Sequence, residues 1–234
     1  MDKKRIKVIR RQATLDDVDA IFKLDQEVWT EFPGTKEMFA SRIETFPEGN
    51  VVAEVNGQIV GYLCMELVEL ELDHQKPFTW IEITDNGYLK NSHKANGNYE
   101  YGLALTVSPN HQNCGIATRL FLSAWEIGVR ANVIACLLGS RIPDYYKYKD
   151  KYSPEEYINL RRKDGKLLDP ELRLYERDGF KAVMLLPNYI HDPQSCDYGV
   201  LMKQGNPFYN RGPQFFRNFL ASIISRWGHK FLGV

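Results

Sequence analysis

The sequence predicts an α/β protein of the α+β type, in which a mixed, mostly antiparallel sheet is flanked by helices. Strand-like runs at 51–55 and 58–70 flank Asn56-Gly57, and such a pair between two β-rich runs is the strongest short-range signal for a hairpin. The second observation is a β-α-β order, whose strand, helix and strand fall at 99–107, 115–130 and 132–138.

The remaining elements follow from local patterns. Residues 5–11 alternate apolar and basic side chains, which predicts a first strand. Thr14 has the character of an N-cap because acidic residues and then apolar residues at helical spacing follow it, so a helix should begin there. We also expect helices at 35–45 and 170–178 and strands at 180–186 and 197–203.

Two long segments interrupt this alternation. Residues 74–98 are polar and turn-rich, with a strand expected at 79–84. Residues 139–170 form an insertion with its own helix, which a capping-box pattern starts at Ser153. We expect that helix to end at the Asp-Gly pair at 164–165.

The composition narrows the class of protein. The 234 residues include 30 Lys and Arg and 30 Asp and Glu, so no overall charge favours nucleic acid, and we expect no nucleic-acid partner. The 4 cysteines form no C-x-x-C pair and lie far from any histidine cluster, a pattern unsuited to a metal site or a disulfide framework. No apolar run approaches the roughly 20 residues of a membrane span. We therefore expect a cytoplasmic protein with no metal and no membrane span.

The turn that follows the 99–107 strand has the features of a phosphate-binding loop. The first N–H groups of a helix lack partners within the helix, and the helix dipole adds partial positive charge there. Gly115 has no side chain to obstruct an approaching phosphate, and Ala117 is nearly as small. On spacing alone, a simple tight turn explains Gly115 equally well.

The surrounding motifs resemble those of the GNAT superfamily of N-acetyltransferases. The run VSPNHQNCGIATRL at 107–120 resembles the donor motif Gln/Arg-x-x-Gly-x-Gly/Ala after a strand ending in Val-x-Pro. The run YERDGF at 175–180 resembles the Tyr-x-x-x-Gly-Phe signature of the family. The resemblance implies a GNAT fold in residues 1–204, followed at 205–234 by a linker and an amphipathic helix.

The resemblance also implies the donor and its site. The donor would be acetyl-CoA, and Tyr175 would protonate the departing thiolate, although an ordinary half-buried aromatic is the alternative for that residue. The donor site would comprise part of the strand and the loop after it: Leu105, Thr106, Val107, Gln112, Asn113, Cys114, Gly115, Ile116, Ala117 and Thr118. Members of the family often carry Lys or Arg just before the glycine, whereas this loop is neutral, and Arg119 is the nearest residue that supplies positive charge.

The acceptor side is less determined. A base must remove a proton from the amine, and the candidates are Glu100, Tyr101, Glu82 and Asp144, of which we favour Glu100; a solvated edge glutamate is the alternative. In the family the insertion at 139–170 would line the acceptor side of the cleft, and a packing insert is the other interpretation.

A narrower likeness concerns three short motifs. SRIPDY at 140–145, LDP at 168–170 and PNYIHD at 187–192 resemble the acetyltransferase domain that is fused ahead of nitrilase-type carbon–nitrogen hydrolases. We expect no such hydrolase domain, since only about 30 residues follow residue 204. The likeness identifies no substrate.

The last segment differs in character from the rest. Residues 205–234 contain no acidic residue and combine an apolar helical face with several basic residues. We expect this helix to dock on its own domain or on a second copy in a homodimer, with contact at a membrane surface as the alternative.

These patterns lead to one functional hypothesis and two competitors. The first is an N-acetyltransferase that moves an acetyl group from acetyl-CoA to the primary amine of an unidentified small molecule or peptide, by direct transfer in a ternary complex. The competitors are a non-catalytic acyl-CoA-binding module whose C-terminal helix engages a partner, and a membrane-associated interaction protein.

Overall fold

The computed structural model describes residues 7–29 and 33–231, with side chains described up to residue 224. In chain order the elements are β1 (Val8–Gln12), α1 (Val18–Val28), α2 (Lys36–Thr45), β2 (Asn50–Val55), β3 (Gln58–Val68), α3 (Trp80–Ile83), β4 (Tyr99–Val107), α4 (Ile116–Ala131), β5 (Ala135–Arg141), α5 (Pro154–Tyr157), α6 (Pro170–Arg177), β6 (Lys181–Leu186), β7 (Gly199–Gly205) and α7 (Gln214–Phe231).

The seven strands form one sheet in the order β1-β2-β3-β4-β5-β7-β6. Every neighbouring pair is antiparallel except β4 and β5, which are parallel. Helices cover both faces. Tyr62 packs with Phe39 of α2 on one face, while its neighbour Leu63 packs with Leu120 of α4 on the other, as alternation along a strand requires. The predicted fold class, a mixed and mostly antiparallel sheet flanked by helices, is confirmed.

Two local predictions are wrong for identifiable reasons. The strand expected at 79–84 is the short helix α3, because Thr79 and Glu82 form a capping box in which each side chain bonds the backbone N–H of the other. The helix expected to run from Ser153 to the Asp-Gly pair ends at Tyr157. Beyond it the chain turns back at Gly165, whose φ of 80° is left-handed, and Arg161 pairs with Leu167 in an isolated bridge.

The C-terminal helix α7 packs along α4. Ala221 is fully buried there, and the two segments are joined at their ends by hydrogen bonds between Asn132 and Asn210 (2.9 Å). This contact is docking on the helix's own domain, one of the predicted alternatives. Phe215 and Phe219 remain 75% and 59% exposed, and the homodimer stays a prediction. The basic residues beyond 224 lie outside the described side chains.

The described part of the chain contains no helix that is both long enough and apolar enough to cross a membrane. All 4 cysteines are free thiols.

Candidate active site

A fork in the sheet defines the candidate site. β4 and β5 pair only from Glu100 to Gly102, opposite Cys136 to Leu138, and then separate. β4 nevertheless continues beside β3 as far as Val107. Backbone groups of the predicted donor stretch, residues 105–107, that point away from β3 therefore have no strand partner within the described sheet.

A bulge lies at the start of the fork. Gly102 is opposite Met65 and Ala104 is opposite Cys64, so Leu103 is an extra residue on β4. Along β4, side chains at odd positions after Leu103 therefore point to the face to which even positions point before it. As a result Glu100 and Leu105, an odd number of residues apart, both face α4.

The predicted phosphate-binding loop connects the fork to α4. Asn113 and Gly115 both have left-handed backbone conformations, with φ of 59° and 75°, and the helix begins at Ile116. The first helical hydrogen bond runs from the Arg119 N–H to the Gly115 carbonyl (3.1 Å). The N–H groups of Ile116, Ala117 and Thr118 therefore lie ahead of the helical hydrogen-bond ladder, at the positive end of the helix dipole.

Side chains in this loop take different positions. The Ile116 side chain is buried in the core, so that residue can offer a ligand its backbone only. Cys114 is exposed. Thr106, one of the predicted donor residues, is buried, and its hydroxyl accepts a hydrogen bond from Trp29 Nε1 (3.1 Å).

Tyr175 lies on α6, across from α4. Its ring contacts Phe121 of α4 and Phe180, with centroid separations of 6.4 Å and 5.8 Å. Burial raises the pKa of the phenol, so the group keeps its proton at neutral pH.

The structure argues against the predicted catalytic role of Glu100. Its side chain is 1% exposed and lies under Gly128 of α4, at the closed end of the fork. Burial raises its pKa well above the ordinary value, and Oε1 has no hydrogen-bond partner among the described residues. Glu100 lines a small cavity with Phe121 and Phe180, the two rings that contact Tyr175. A carboxyl buried this deeply beneath a helix is not exposed to an acceptor.

The other candidate bases are also occupied elsewhere. Glu82 caps α3 at the surface, and Asp144 pairs with Lys147 (2.5 Å). Tyr101 is fully buried, and its hydroxyl bonds that of Tyr189 (2.6 Å).

A charged cluster that sequence reasoning did not assemble lies at the open end of the fork. Arg141, the last residue of β5, binds Glu171 of α6 (2.7 Å) and Asp192 (3.5 Å). Its guanidinium also lies 5.4 Å from the ring of Trp29. Since Trp29 donates a hydrogen bond to Thr106 of β4, these contacts connect β5 with β4, the two strands of the fork. Glu171 could have been found from the sequence, because it precedes Tyr175 by one helical turn.

The three short motifs of the narrower likeness converge here. Arg141 and Asp192 form the ion pair just described. Asp169 accepts hydrogen bonds from the backbone N–H groups of Glu171 (2.9 Å) and Leu172 (3.1 Å) and thereby caps α6. All three residues thus hold the N-terminal end of the helix that carries Tyr175.

The insertion supports that helix from outside. Tyr145 and Tyr157 are buried with their ring centroids 5.1 Å apart, and the Tyr157 hydroxyl donates to Asp169 (3.0 Å). This packing favours the interpretation of the segment as a packing insert that fixes α6. Tyr146 is exposed.

Within residues 7–29 and 33–231, no group of three or more His, Cys, Asp and Glu is arranged to hold a metal ion.

Comparison with known proteins identifies the family to which the chain belongs. The acetyltransferase (GNAT) family model matches residues 18–144. The chain is 34% identical to YkwB, an uncharacterized N-acetyltransferase of Bacillus subtilis, over 206 residues that cover 86% of this chain and 90% of that protein. It is 31% identical over 205 residues to YhcX, a probable hydrolase of the same organism, covering 87% of this chain but only 39% of that longer protein.

A solved structure resembles the fold. The GNAT-like decarboxylase GphF, in complex with isobutyryl-CoA, superposes with a TM-score of 0.70 and 21% identity, covering 85% of this chain and 99% of that one. At this identity the likeness concerns the fold alone. The family match and the relatives make the chain an acyltransferase, and it belongs to the acetyltransferase (GNAT) family.

Proposed function

We propose that this protein transfers an acetyl group from acetyl-CoA to a primary amine of a small molecule or peptide, by direct attack within a ternary complex. One observation carries the proposal. The fork between β4 and β5 opens beside a helix whose first N–H groups are outside the helical ladder. An acyl-CoA needs these two features, an open strand edge for the pantetheine arm and an anion site for the pyrophosphate.

The donor would occupy the fork in an extended form. The pantetheine amides would pair with the free backbone groups of Leu105 to Val107. The pyrophosphate would bind the backbone N–H groups from Gln112 to Thr118. Arg119, on the first turn of α4, has no ion pair among the described residues and would add positive charge beside this neutral loop.

The chemistry then needs an acid near the thioester sulfur. Tyr175 faces α4 across the fork and would protonate the thiolate as it leaves. Holding the amine and the thioester together would contribute much of the remaining acceleration.

Two similar proteins support an acyl-CoA donor and a nitrogen acceptor. The GphF decarboxylase binds an acyl-CoA, and YkwB is named as an N-acetyltransferase. Acetyl as the acyl group and a primary amine as the acceptor are our inferences. We propose a cytoplasmic location as well, which the 4 free thiols support.

Calorimetric titration with acetyl-CoA tests the donor site. Gly115→Arg should abolish binding, because the long side chain would enter the space proposed for the pyrophosphate. Gly165→Arg is the matched control, since Gly165 has a similar left-handed φ of 80° and no atom near its Cβ position. We expect the wild type and Gly165→Arg to bind and Gly115→Arg not to bind.

Two other outcomes are informative. Equal binding by all three proteins would contradict the proposed donor site. Binding by the wild type without turnover on a broad set of amines would instead favour a non-catalytic acyl-CoA-binding module.

A further inference from the structure

We propose that Glu171 is the general base of the reaction and takes a proton from the ammonium group of the acceptor, while Arg141 holds its carboxylate in place. This inference rests on the proposed acetyl transfer. It replaces Glu100, which is 1% exposed, with a carboxylate whose side chain is 28% exposed.

The position of Glu171 on α6 relates it directly to the proposed acid. Glu171 and Tyr175 are four residues apart in one helix, so their side chains project from the same face. The charge of Glu171 acts on Tyr175 and contributes to its raised pKa, which agrees with this proximity. An acid and a base on adjacent turns can serve the two ends of one transfer, the leaving sulfur and the attacking nitrogen.

The carboxylate of Glu171 has one occupied oxygen and one available oxygen. Oε1 accepts a hydrogen bond from Arg141 Nη2 at 2.7 Å. No hydrogen bond of Oε2 occurs among the described residues, and the side chain is 28% exposed, so solvent and an acceptor can reach it. A base needs this combination of a fixed carboxylate and a free oxygen.

The two neighbouring carboxylates do not offer a free oxygen. Asp192 Oδ2 accepts from the Ser195 hydroxyl (2.5 Å), and Oδ1 accepts from the Gln194 N–H (3.0 Å). Asp169 uses Oδ1 for the cap of α6 and Oδ2 for Tyr157. Both residues therefore have structural partners at each oxygen, and Glu171 is the member of the cluster with acceptor capacity to spare.

The charge of the cluster suits a cationic acceptor. Arg141 faces Glu171 and Asp192, so these three groups carry a net charge of one negative unit when ionised. The groups that act on Glu171 are Arg141 from β5, Asp169 from the cap of its own helix, and Asp192 from the loop between β6 and β7. Burial raises the pKa of Glu171 and Arg141 opposes that rise. A carboxylate with a raised pKa is a stronger base than an exposed one.

Glu171 removes one proton from the R-NH₃⁺ acceptor and later releases it to solvent. The nitrogen lone pair attacks the thioester carbonyl carbon, and the C–S bond breaks with its electron pair moving to sulfur. Tyr175 protonates that sulfur and receives the second proton of the nitrogen in return, so the products are the amide, CoA-SH and one proton.

The test compares Glu171→Gln with Glu171→Asp and with Glu176→Gln. Glu176 is the matched control because it lies on the same helix but pairs with Arg161 at the surface (2.9 Å). Initial rates of CoA release would be measured as a function of pH with two kinds of acceptor. One is the best substrate from a panel of alkyl amines, diamines, lysine and short peptides, and the other is O-methylhydroxylamine, whose nitrogen is largely unprotonated at neutral pH.

We expect Glu171→Gln to lower kcat/KM for the alkyl amine by about 10²- to 10⁴-fold. The fall in rate at acid pH should move to higher pH, because the variant can use only amine that is already deprotonated in solution. The loss with O-methylhydroxylamine should be much smaller, because its nitrogen needs no deprotonation before it attacks. Glu171→Asp should retain part of the activity, and all variants should bind acetyl-CoA like the wild type.

Other outcomes distinguish a failure of the Glu171 assignment from a failure of the proposed acetyl transfer. Equal losses with both acceptors, or an unchanged pH profile, would mean that Glu171 only holds Arg141, and the inference would be overturned. Wild-type kcat/KM in Glu171→Gln would overturn it as well. A wild-type protein that binds acetyl-CoA but acetylates no acceptor would overturn the proposed function itself.

Discussion

The phenolic oxygens of Tyr101 and Tyr189 lie 2.6 Å apart in the protein interior, next to the point where β4 and β5 separate. Both side chains are almost completely buried. The ring of Tyr189 occupies the space beside Gly139 and Gly199, where a Cβ atom would clash with it. The pair therefore fills the space beside β5 and β7 where β4 and β5 separate.

Removing one hydroxyl of this pair should destabilise the fold. Tyr101→Phe and Tyr189→Phe each leave the other buried hydroxyl without its partner, and we expect each to lower the free energy of unfolding by about 1–3 kcal/mol. The double variant should lose less than the sum of the two single losses, because no unpaired group remains. Urea unfolding measures all three.

Tyr146→Phe is the control for that cycle, since Tyr146 is 45% exposed and should change stability by less than about 0.5 kcal/mol. Strict additivity of the two buried variants would contradict the hydrogen bond.

The order of elements could be predicted because each depends on local signals. The Asn56-Gly57 hairpin and the β-α-β unit are encoded by turn residues and by runs whose period matches one type of element. The error at α3 has the same origin. Its residues Ile81-Glu82-Ile83 alternate apolar and charged side chains like a strand, but the capping box from Thr79 decides in favour of a helix.

The composition of the site could not be predicted in the same way. Which face Glu100 occupies depends on the bulge at Leu103, and a bulge is a property of the pairing with β3 rather than of β4 alone. The ion pairs of Arg141 join residues 30 and 51 positions away along the chain. Such contacts exist only after the strands have been paired.

A second buried carboxyl predicts a pH dependence of stability. Glu66 lies opposite Tyr101 in the β3–β4 pairing and is fully buried. Its Oε2 accepts from Ser92 (2.6 Å), whereas Oε1 has no partner among the described residues. Burial raises the pKa of Glu66 from 4.5 to about 8.

Between these two pKa values the folded state keeps the proton and the unfolded state releases it. Stability contributed by Glu66 is therefore present below pH 4.5 and is lost as the pH rises towards about 8, by about 1.4 kcal/mol per pH unit. Glu66→Gln cannot titrate, so its free energy of unfolding should fall less steeply over that range. Urea unfolding at several pH values, with the exposed Glu155→Gln as control, measures the difference, and parallel curves for Glu66→Gln and wild type would contradict it.

The hydroxyl of Tyr175 is the proposed proton donor to the departing thiolate. Tyr175→Phe keeps the ring contacts with Phe121 and Phe180 and removes only the proton donor. We expect kcat to fall by about 10²- to 10⁴-fold while the Kd for acetyl-CoA stays constant, because the hydroxyl acts when the C–S bond breaks and not when the donor binds. Steady-state kinetics and calorimetry on the same preparation measure both quantities, with Tyr146→Phe as the control. A variant that loses acetyl-CoA affinity and keeps kcat would show instead that the hydroxyl binds the donor, and the thiolate would then have to take its proton from water.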